Sequence, residues 1–296
     1  MSKMQIKQFI ETRADADGLI DIGLNSVQIF RATAAVPCDH AVFEPCVIAI
    51  VQGAKEAIFD GRRYIYDDQK YMCCPMSMPL RAGAPDVSPQ KPLFGVYISL
   101  DQRVMTELAI EMENAGGSLP TGNNTREQGI RLAQWDDDFS DALLRILQLS
   151  DRPTDIAVLA ESRLRELYYA ILKGDAGIFA RRAFGVGNAI ARSIAHMTSN
   201  LNETVSIDDM ADRAGLSRAV FHRKFKQATS MSPIQYMKSM RLNNAAMKIA
   251  TGTTVSEAAM DVGYISASQF SREFKRMYGL SPRQWGDMQH DAPRIN

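Results

Sequence analysis

The sequence predicts a two-domain α+β protein. An N-terminal antiparallel β-barrel or sandwich with appended helices precedes a C-terminal all-α domain with two helix-turn-helix motifs joined by a long helix. Three observations lead there. Short β-rich runs separated by turn signals fill the stretch from about Ile20 to Leu100. Helical periodicity follows them. A segment of about fifty residues near the C-terminus then occurs twice.

The first strands are read at Val47 to Val51, Glu56 to Phe59, Arg62 to Tyr66, Lys70 to Cys73 and Phe94 to Ser99, with Asp60-Gly61 as a hairpin turn. Helices are expected over Arg103 to Asn114 and Asp138 to Leu149. A third, Asp155 to Leu172, carries Ile156, Leu159, Leu164, Leu167, Tyr168 and Ile171 at helical spacing. That third helix is either core or a dimer seam. The polar run Gly116 to Thr125 reads as a loop. Lys173-Gly174-Asp175-Ala176-Gly177 breaks the pattern, so the junction is placed from there to about Gly187, giving domains 1–185 and 186–296.

A helix near Asn188 to Asn200 opens the second domain. In the first repeat Ser206 caps a helix with Met210, Ala211 and Ala214 inward, Gly215 makes the turn, Leu216 plugs the corner and Ser217 caps the next helix. Val220, Phe221 and Phe225 define its buried side, and Arg218, Ala219, His222, Arg223 and Lys226 fall outside. A long amphipathic helix follows, roughly Pro233 to Thr251. In the second repeat Ser256 caps, Ala258, Ala259 and Val262 are buried, Gly263 turns and Tyr264 fills the corner. Phe270 and Phe274 then anchor a helix that exposes Ala267, Ser268, Gln269, Ser271 and Arg272. The offset between repeats is 48 residues up to the glycine and 49 from Phe221 and Phe270 onward. Arg suits guanine edges, Gln suits adenine and a small Ala permits close approach, so both outer faces fit a major groove. Lys226, Lys275 and Arg276 fit phosphate. Two such motifs on one rigid body would enter successive groove segments ~34 Å apart.

Charge agrees with this division. The formal net charge is zero, yet from Val186 onward there are 14 Lys+Arg against 9 Asp+Glu, leaving 20 basic and 25 acidic groups upstream. A basic module beside an acidic one fits a phosphate-binding partner. Length and a composition of 46% apolar and 23% charged residues fit a globular chain without a membrane-spanning run. Met1 to Asp21 lacks the apolar core of a secretory signal, so cytoplasmic residence is expected. Cys38, Cys46, Cys73 and Cys74 match no zinc or redox spacing and are expected as reduced thiols.

The pattern Ala211-x-x-Ala214-Gly215-Leu216-Ser217, Phe221-x-Arg223-x-Phe225-Lys226, Ser232-Pro233, Val262-Gly263-Tyr264, Ser268-x-Phe270-Ser271-Arg272-x-Phe274-Lys275 and Ser281-Pro282 resembles the AraC/XylS family of bacterial transcription regulators. The resemblance covers about 100 residues. It implies double-stranded DNA and RNA polymerase as partners, with Arg218, Ala219, His222, Arg223, Ala267, Ser268, Gln269 and Arg272 facing bases. Ile265-Ser266 stands where the family often has an acidic residue.

Upstream, Glu44-Pro45-Cys46 through Glu56, with Tyr64, Tyr66, Pro75-Met76 and Met78-Pro79, resembles the cupin-like N-terminal domain of one branch of that family. This implies a sensing domain for a small-molecule or chemical signal and a homodimer contact. Strand alternation offers Cys46, Ile48, Ile50, Met72, Cys73, Met76, Met78 and Tyr97 as pocket residues, against the simpler reading that they are core. Cys73 or Cys74 would sense an oxidant or electrophile if its pKa were depressed. A metal-dependent cupin enzyme needs several His ligands, and His40 is the one histidine before residue 186. No metal, cofactor or enzymatic activity is therefore expected.

Overall fold

The computed structural model describes residues 2–116, 129–185, 189–203 and 206–289. The expected Gly116 to Thr125 loop lies, from residue 117 on, outside the described residues. In chain order the N-terminal part comprises α1 (Ser2–Arg13), β1 (Gly18–Leu24), β2 (Val27–Ala32), β3 (Val36–Phe43), β4 (Cys46–Gln52), β5 (Ala54–Phe59), β6 (Arg62–Asp67), β7 (Lys70–Cys74), β8 (Met78–Ala84) and β9 (Leu93–Ser99). These are followed by α2 (Gln102–Asn114), β10 (Arg131–Gln134), α3 (Asp137–Leu147), α4 (Pro153–Lys173) and α5 (Gly177–Phe184). The strands form a six-stranded sheet in the order β1-β2-β9-β4-β7-β10 and a four-stranded sheet in the order β3-β8-β5-β6. Every strand pairing is antiparallel.

The five strands read from sequence are present within a residue or two at each end. β1, β2, β3, β8 and β10 were not foreseen. β3 contains Pro37, Asp39 and His40, and β8 contains Pro79 and Gly83, residue types that strands disfavour. These two strands are held because they pair with each other from Val36↔Ala84 to Phe43↔Met78. Asp60 (φ 51°) and Gly61 (φ 70°) make the β5–β6 turn with two positive φ angles, the geometry of a tight two-residue hairpin.

Strand β4 shows how the layers are built. From Cys46 to Val51 every residue is buried, because both faces of the strand are covered. Val47, Ala49 and Val51 pack with α1 to α5, whereas Cys46, Ile48 and Ile50 point between the sheets. The N-terminal part is thus three layers: helices, six-stranded sheet and four-stranded sheet.

The expected junction from Lys173 to Gly187 needs correction. Most of it is the helix α5, whose Ala180 and Phe184, with Ala176 just before it, belong to the helical-layer core. Glycines and charged residues hid its short apolar stripe. In α4, Leu167, Tyr168, Ile171 and Leu172 are core, while Val158 near the other end is 72% exposed.

The C-terminal helices are α6 (Ala189–Ser199), α7 (Ile207–Arg213), α8 (Arg218–Thr229), α9 (Pro233–Ala250), α10 (Val255–Asp261), α11 (Ala267–Tyr278) and α12 (Pro282–Gln289). Ser206 and Ser217 cap α7 and α8 as expected. Ser232 and Gln235 form a capping box ahead of Pro233 in α9. For α10 the expected cap Ser256 is wrong: Thr254 caps, in a reciprocal box with Glu257. Threonine followed three residues later by glutamate satisfies two free backbone N–H groups, which Ser256 has no matching acid to do.

Two cores divide these helices. Leu242, Ala245, Ile249, Phe270, Phe274 and Trp285 form one around the C-terminal half of α9. The other, with Ile194, Met197, Phe221, Phe225, Tyr236 and Met240, is continuous with the apolar space between the two sheets. The first helix pair is therefore docked on the β domain, and α9 packs against β3 and β8.

Candidate nucleic-acid interface and enclosed interior

The helix pairs α7–α8 and α10–α11 share one turn. Gly215 (φ 64°) and Gly263 (φ 83°) adopt the left-handed conformation that other side chains resist. Gly215 N–H donates to Asp212 O and Leu216 N–H to Ala211 O, each at 2.9 Å. Gly263 and Tyr264 donate to Met260 O and Ala259 O at the same distances. A Cβ on Gly263 would also stand 2.8 Å from Asn202 O, so this glycine is needed for space as well. Behind each turn two phenylalanine rings anchor the second helix, Phe221 with Phe225 at 5.7 Å and Phe270 with Phe274 at 5.4 Å. All four are fully buried.

On the outer faces Arg218, Ala219, His222, Arg223 and Lys226 of α8 are exposed, as are Ala267, Ser268, Gln269, Arg272, Lys275 and Arg276 of α11. Ser271 is half-buried. Among the described residues Arg223, Lys226, Arg272 and Lys275 have no acidic partner, so their charge is directed outward. Arg218 is instead held by both carboxylate oxygens of Asp208, at 2.9 and 3.1 Å.

Sequence reasoning missed Glu273. Its carboxylate accepts from the Tyr264 hydroxyl at 2.7 Å, from Lys238 Nζ at 2.8 Å and from Gln269 Nε2 at 3.4 Å. Burial pushes this carboxyl's pKa up, but the three donors outweigh it and hold the pKa below the usual range. Its placement four residues after Gln269 was the available signal.

The repeats diverge at Tyr236 and Trp285, which occupy equivalent positions. Trp285 Nε1 donates to Ala246 O at 3.1 Å inside its own core, whereas the Tyr236 hydroxyl donates to Ser77 O of the β domain at 2.5 Å. Gly129 N–H adds a 2.9 Å bond to Ala228 O near the end of α8. His40 on β3 meets the Tyr278 ring at the end of α11, centroids 5.0 Å apart.

Between the sheets, Cys46, Ile48, Ile50, Met72, Met76 and Met78 are buried in one cluster, with Tyr97 partly buried against it. Cys73 is not among them. Its neighbours Met72 and Cys74 point inward, so alternation turns Cys73 toward the helical layer. Thiol reactivity also needs correction. All four cysteines are free, but Cys46, Cys73 and Cys74 are fully buried, and burial pushes their pKa up, to about 12 for Cys73. A thiolate-dependent sensor requires the opposite shift. Among the described residues no group of three His, Cys, Asp or Glu side chains is placed to hold a metal, and no helix is long and apolar enough to cross a membrane.

An antiparallel β-sheet domain followed by a helical domain with outward cationic helices is the organisation of a DNA-binding regulator, and comparison with known proteins agrees. Residues 23–178 match the family described as AraC-type transcriptional regulator N-terminus, and residues 210–288 match a helix-turn-helix domain. The chain belongs to the AraC family of transcriptional regulators. It is 31% identical over 116 residues to the transcriptional activator RhaS of Escherichia fergusonii, a match covering 39% of each chain. It is 30% identical over 93 residues to the regulatory protein SoxS of Escherichia coli, covering 31% of this chain and 87% of SoxS. The chain thus spans about two-fifths of the length of RhaS. Among solved structures, apo ToxT from Vibrio cholerae superposes with a TM-score of 0.60 at 14% identity, covering 93% of this chain and all of ToxT. At that identity the likeness shows the fold alone.

Proposed function

We propose that the chain is a sequence-specific DNA-binding transcription regulator that responds to a small-molecule signal. Residues 1–185 would form a cupin-like sensing and oligomerising domain, and residues 186–296 would read DNA through two helix-turn-helix motifs. One observation carries this reading: α8 and α11 repeat the same turn, the same buried phenylalanine pair and the same outward arginine, Arg223 and Arg272, on either side of α9. Two equivalent cationic helices fixed on one rigid helix fit two successive major-groove segments on one side of a duplex. Base contacts are assigned to Arg218, Ala219, His222, Arg223, Ala267, Ser268, Gln269 and Arg272. Lys226, Ser271 and Lys275 are assigned to phosphate or groove-edge contacts. Cytoplasmic residence and contact with RNA polymerase follow from the same reading, and no catalytic step is assigned to the chain.

Footprinting on DNA fragments selected from a random library tests the proposal. The expected result is two protected patches about one helical turn apart, with affinity falling steeply as salt rises. A single patch, or salt-independent binding, would overturn it.

A further inference from the structure

We infer that Lys55 anchors the carboxylate of the signal molecule, and that the natural effector is a small monoanionic acid with an apolar body. This rests on the proposed sensing role of the N-terminal domain.

Lys55 lies on β5 opposite Tyr66 of β6, and its strand neighbours Ala57 and Phe59 are in the cluster between the sheets. Two-residue alternation therefore sends the Lys55 side chain to that enclosed side. Its ammonium stands 5.3 Å from the centre of the Phe30 ring. Phe30 in turn lies across Gly95, where any Cβ would come within 2.3 Å of the ring. The adjacent carboxylate is unavailable: Glu56, the next residue along β5, alternates to the opposite face and is paired with Arg63. Among the described residues Lys55 has neither an acidic partner nor a hydrogen bond.

An enclosed cation without a counter-charge costs free energy, and proteins ordinarily pair it or replace it. Here the Cys46 thiol interacts with Lys55 electrostatically, the Tyr66 ring faces the same side from the paired strand, and the Tyr97 phenol lies beside Cys46. Tyr97 is hydrogen-bonded to Cys46, and the Tyr66 hydroxyl is buried with no hydrogen-bond partner among the described residues. A buried donor left unsatisfied is itself unfavourable. A carboxylate beside Lys55 supplies the missing charge and acceptor oxygens for such donors. Desolvation lowers the Lys55 pKa to about 8, so the group remains largely cationic near neutral pH. The residue as a whole keeps intermediate exposure, so β5 brings it near the edge of the enclosed side. Ile48, Ile50, Met72 and Met78 make the rest of the cluster between the sheets apolar, and the methionines make it adaptable. A lone lysine supplies one positive point charge, which balances a single carboxylate.

Calorimetric titration of the full chain with octanoate, benzoate, 1-octanol, benzyl alcohol and inorganic phosphate tests the inference, using wild type, Lys55→Met and Lys55→Arg. Expected is saturable one-to-one binding of at least one acid, with its matched alcohol about tenfold weaker or more. Lys55→Met should weaken the acid by about tenfold or more, and Lys55→Arg should retain it within about threefold. Lys55→Met should melt no lower than wild type, because it removes an uncompensated charge. Four outcomes overturn the inference: neither acid binding below about 5 mM, equal binding by acid and alcohol, acid binding untouched in Lys55→Met, or phosphate binding in place of both acids. DNA binding is measured in parallel. If wild type binds an acid but no DNA, the regulator reading fails while the anion site stands.

Discussion

The Tyr236 hydroxyl donates a hydrogen bond to the Ser77 carbonyl at 2.5 Å, joining the first turn of α9 to the segment between β7 and β8 across 159 residues of chain. Both residues are buried. Tyr236→Phe should keep the ring contact with Phe225 and leave the Ser77 carbonyl without this donor. The expected loss is about 1–3 kcal/mol. Denaturant unfolding should show it as a lower midpoint, and an unchanged midpoint would place no stability in this bond.

Arg272 and Lys275 are both exposed on α11 and without an acidic partner among the described residues. Arg272→Ala should relax preference at one base pair by ~1–3 kcal/mol, whereas Lys275→Ala should weaken all sequences about equally and flatten the salt dependence. Binding to a set of single-base operator variants separates the two. Matching profiles would remove base reading from Arg272.

Glu273 engages one N–H of the Gln269 amide at 3.4 Å, which leaves the amide oxygen without a partner in that contact. If Gln269 reads a base as proposed, this contact would bias it toward accepting from adenine N6 or cytosine N4. Glu273→Ala should release Gln269 and broaden the base preference at its position, with total affinity changed by about threefold or less. Selection from a randomised operator checks this, and an unaltered preference would mean that Glu273 does not orient Gln269.

Lys55 should give stability an alkaline slope. Its folded pKa of about 8 lies below its ordinary value of 10.5. Between those values the unfolded chain binds a proton that the folded chain does not, so stability rises with pH there and is flat below about 8. Lys55→Met lacks this term. The wild-type melting temperature should therefore gain on the mutant between pH 8 and 10.5. A constant difference would show that Lys55 is solvated like a surface lysine.

Thiol labelling should find Cys46, Cys73 and Cys74 protected in the native chain and Cys38, which is partly exposed, reacting first. Mass spectrometry after brief iodoacetamide treatment distinguishes them. Rapid labelling of Cys73 or Cys74 would restore the electrophile-sensing idea.

The C-terminal domain was legible in detail because its signals are local. Gly215 and Gly263 mark backbone turns, Ser206 and Ser217 cap helices, and the phenylalanine pairs keep helical spacing, each decided within a few residues. Thr254 was misread only because a second hydroxyl, Ser256, stood two residues away. The N-terminal domain was legible where strands are uniformly apolar, as in β4. It was illegible where strands exist because a partner holds them, as β3 and β8 hold each other through Pro37, His40, Pro79 and Gly83.

By itself the chain determined two cation-faced helix pairs, the apolar strands and which side chains are exposed on α8 and α11. Periodicity and turn chemistry act over a few residues and need no partner. Tertiary structure alone decided which face each buried residue serves. It turned Cys73 away from Cys46, set Lys55 beside Phe30 with no acidic partner among the described residues, set Glu273 on Gln269 and fastened Tyr236 to Ser77. Those relations join residues from separate elements, and whether a charge or hydroxyl is satisfied depends on what folding brings beside it.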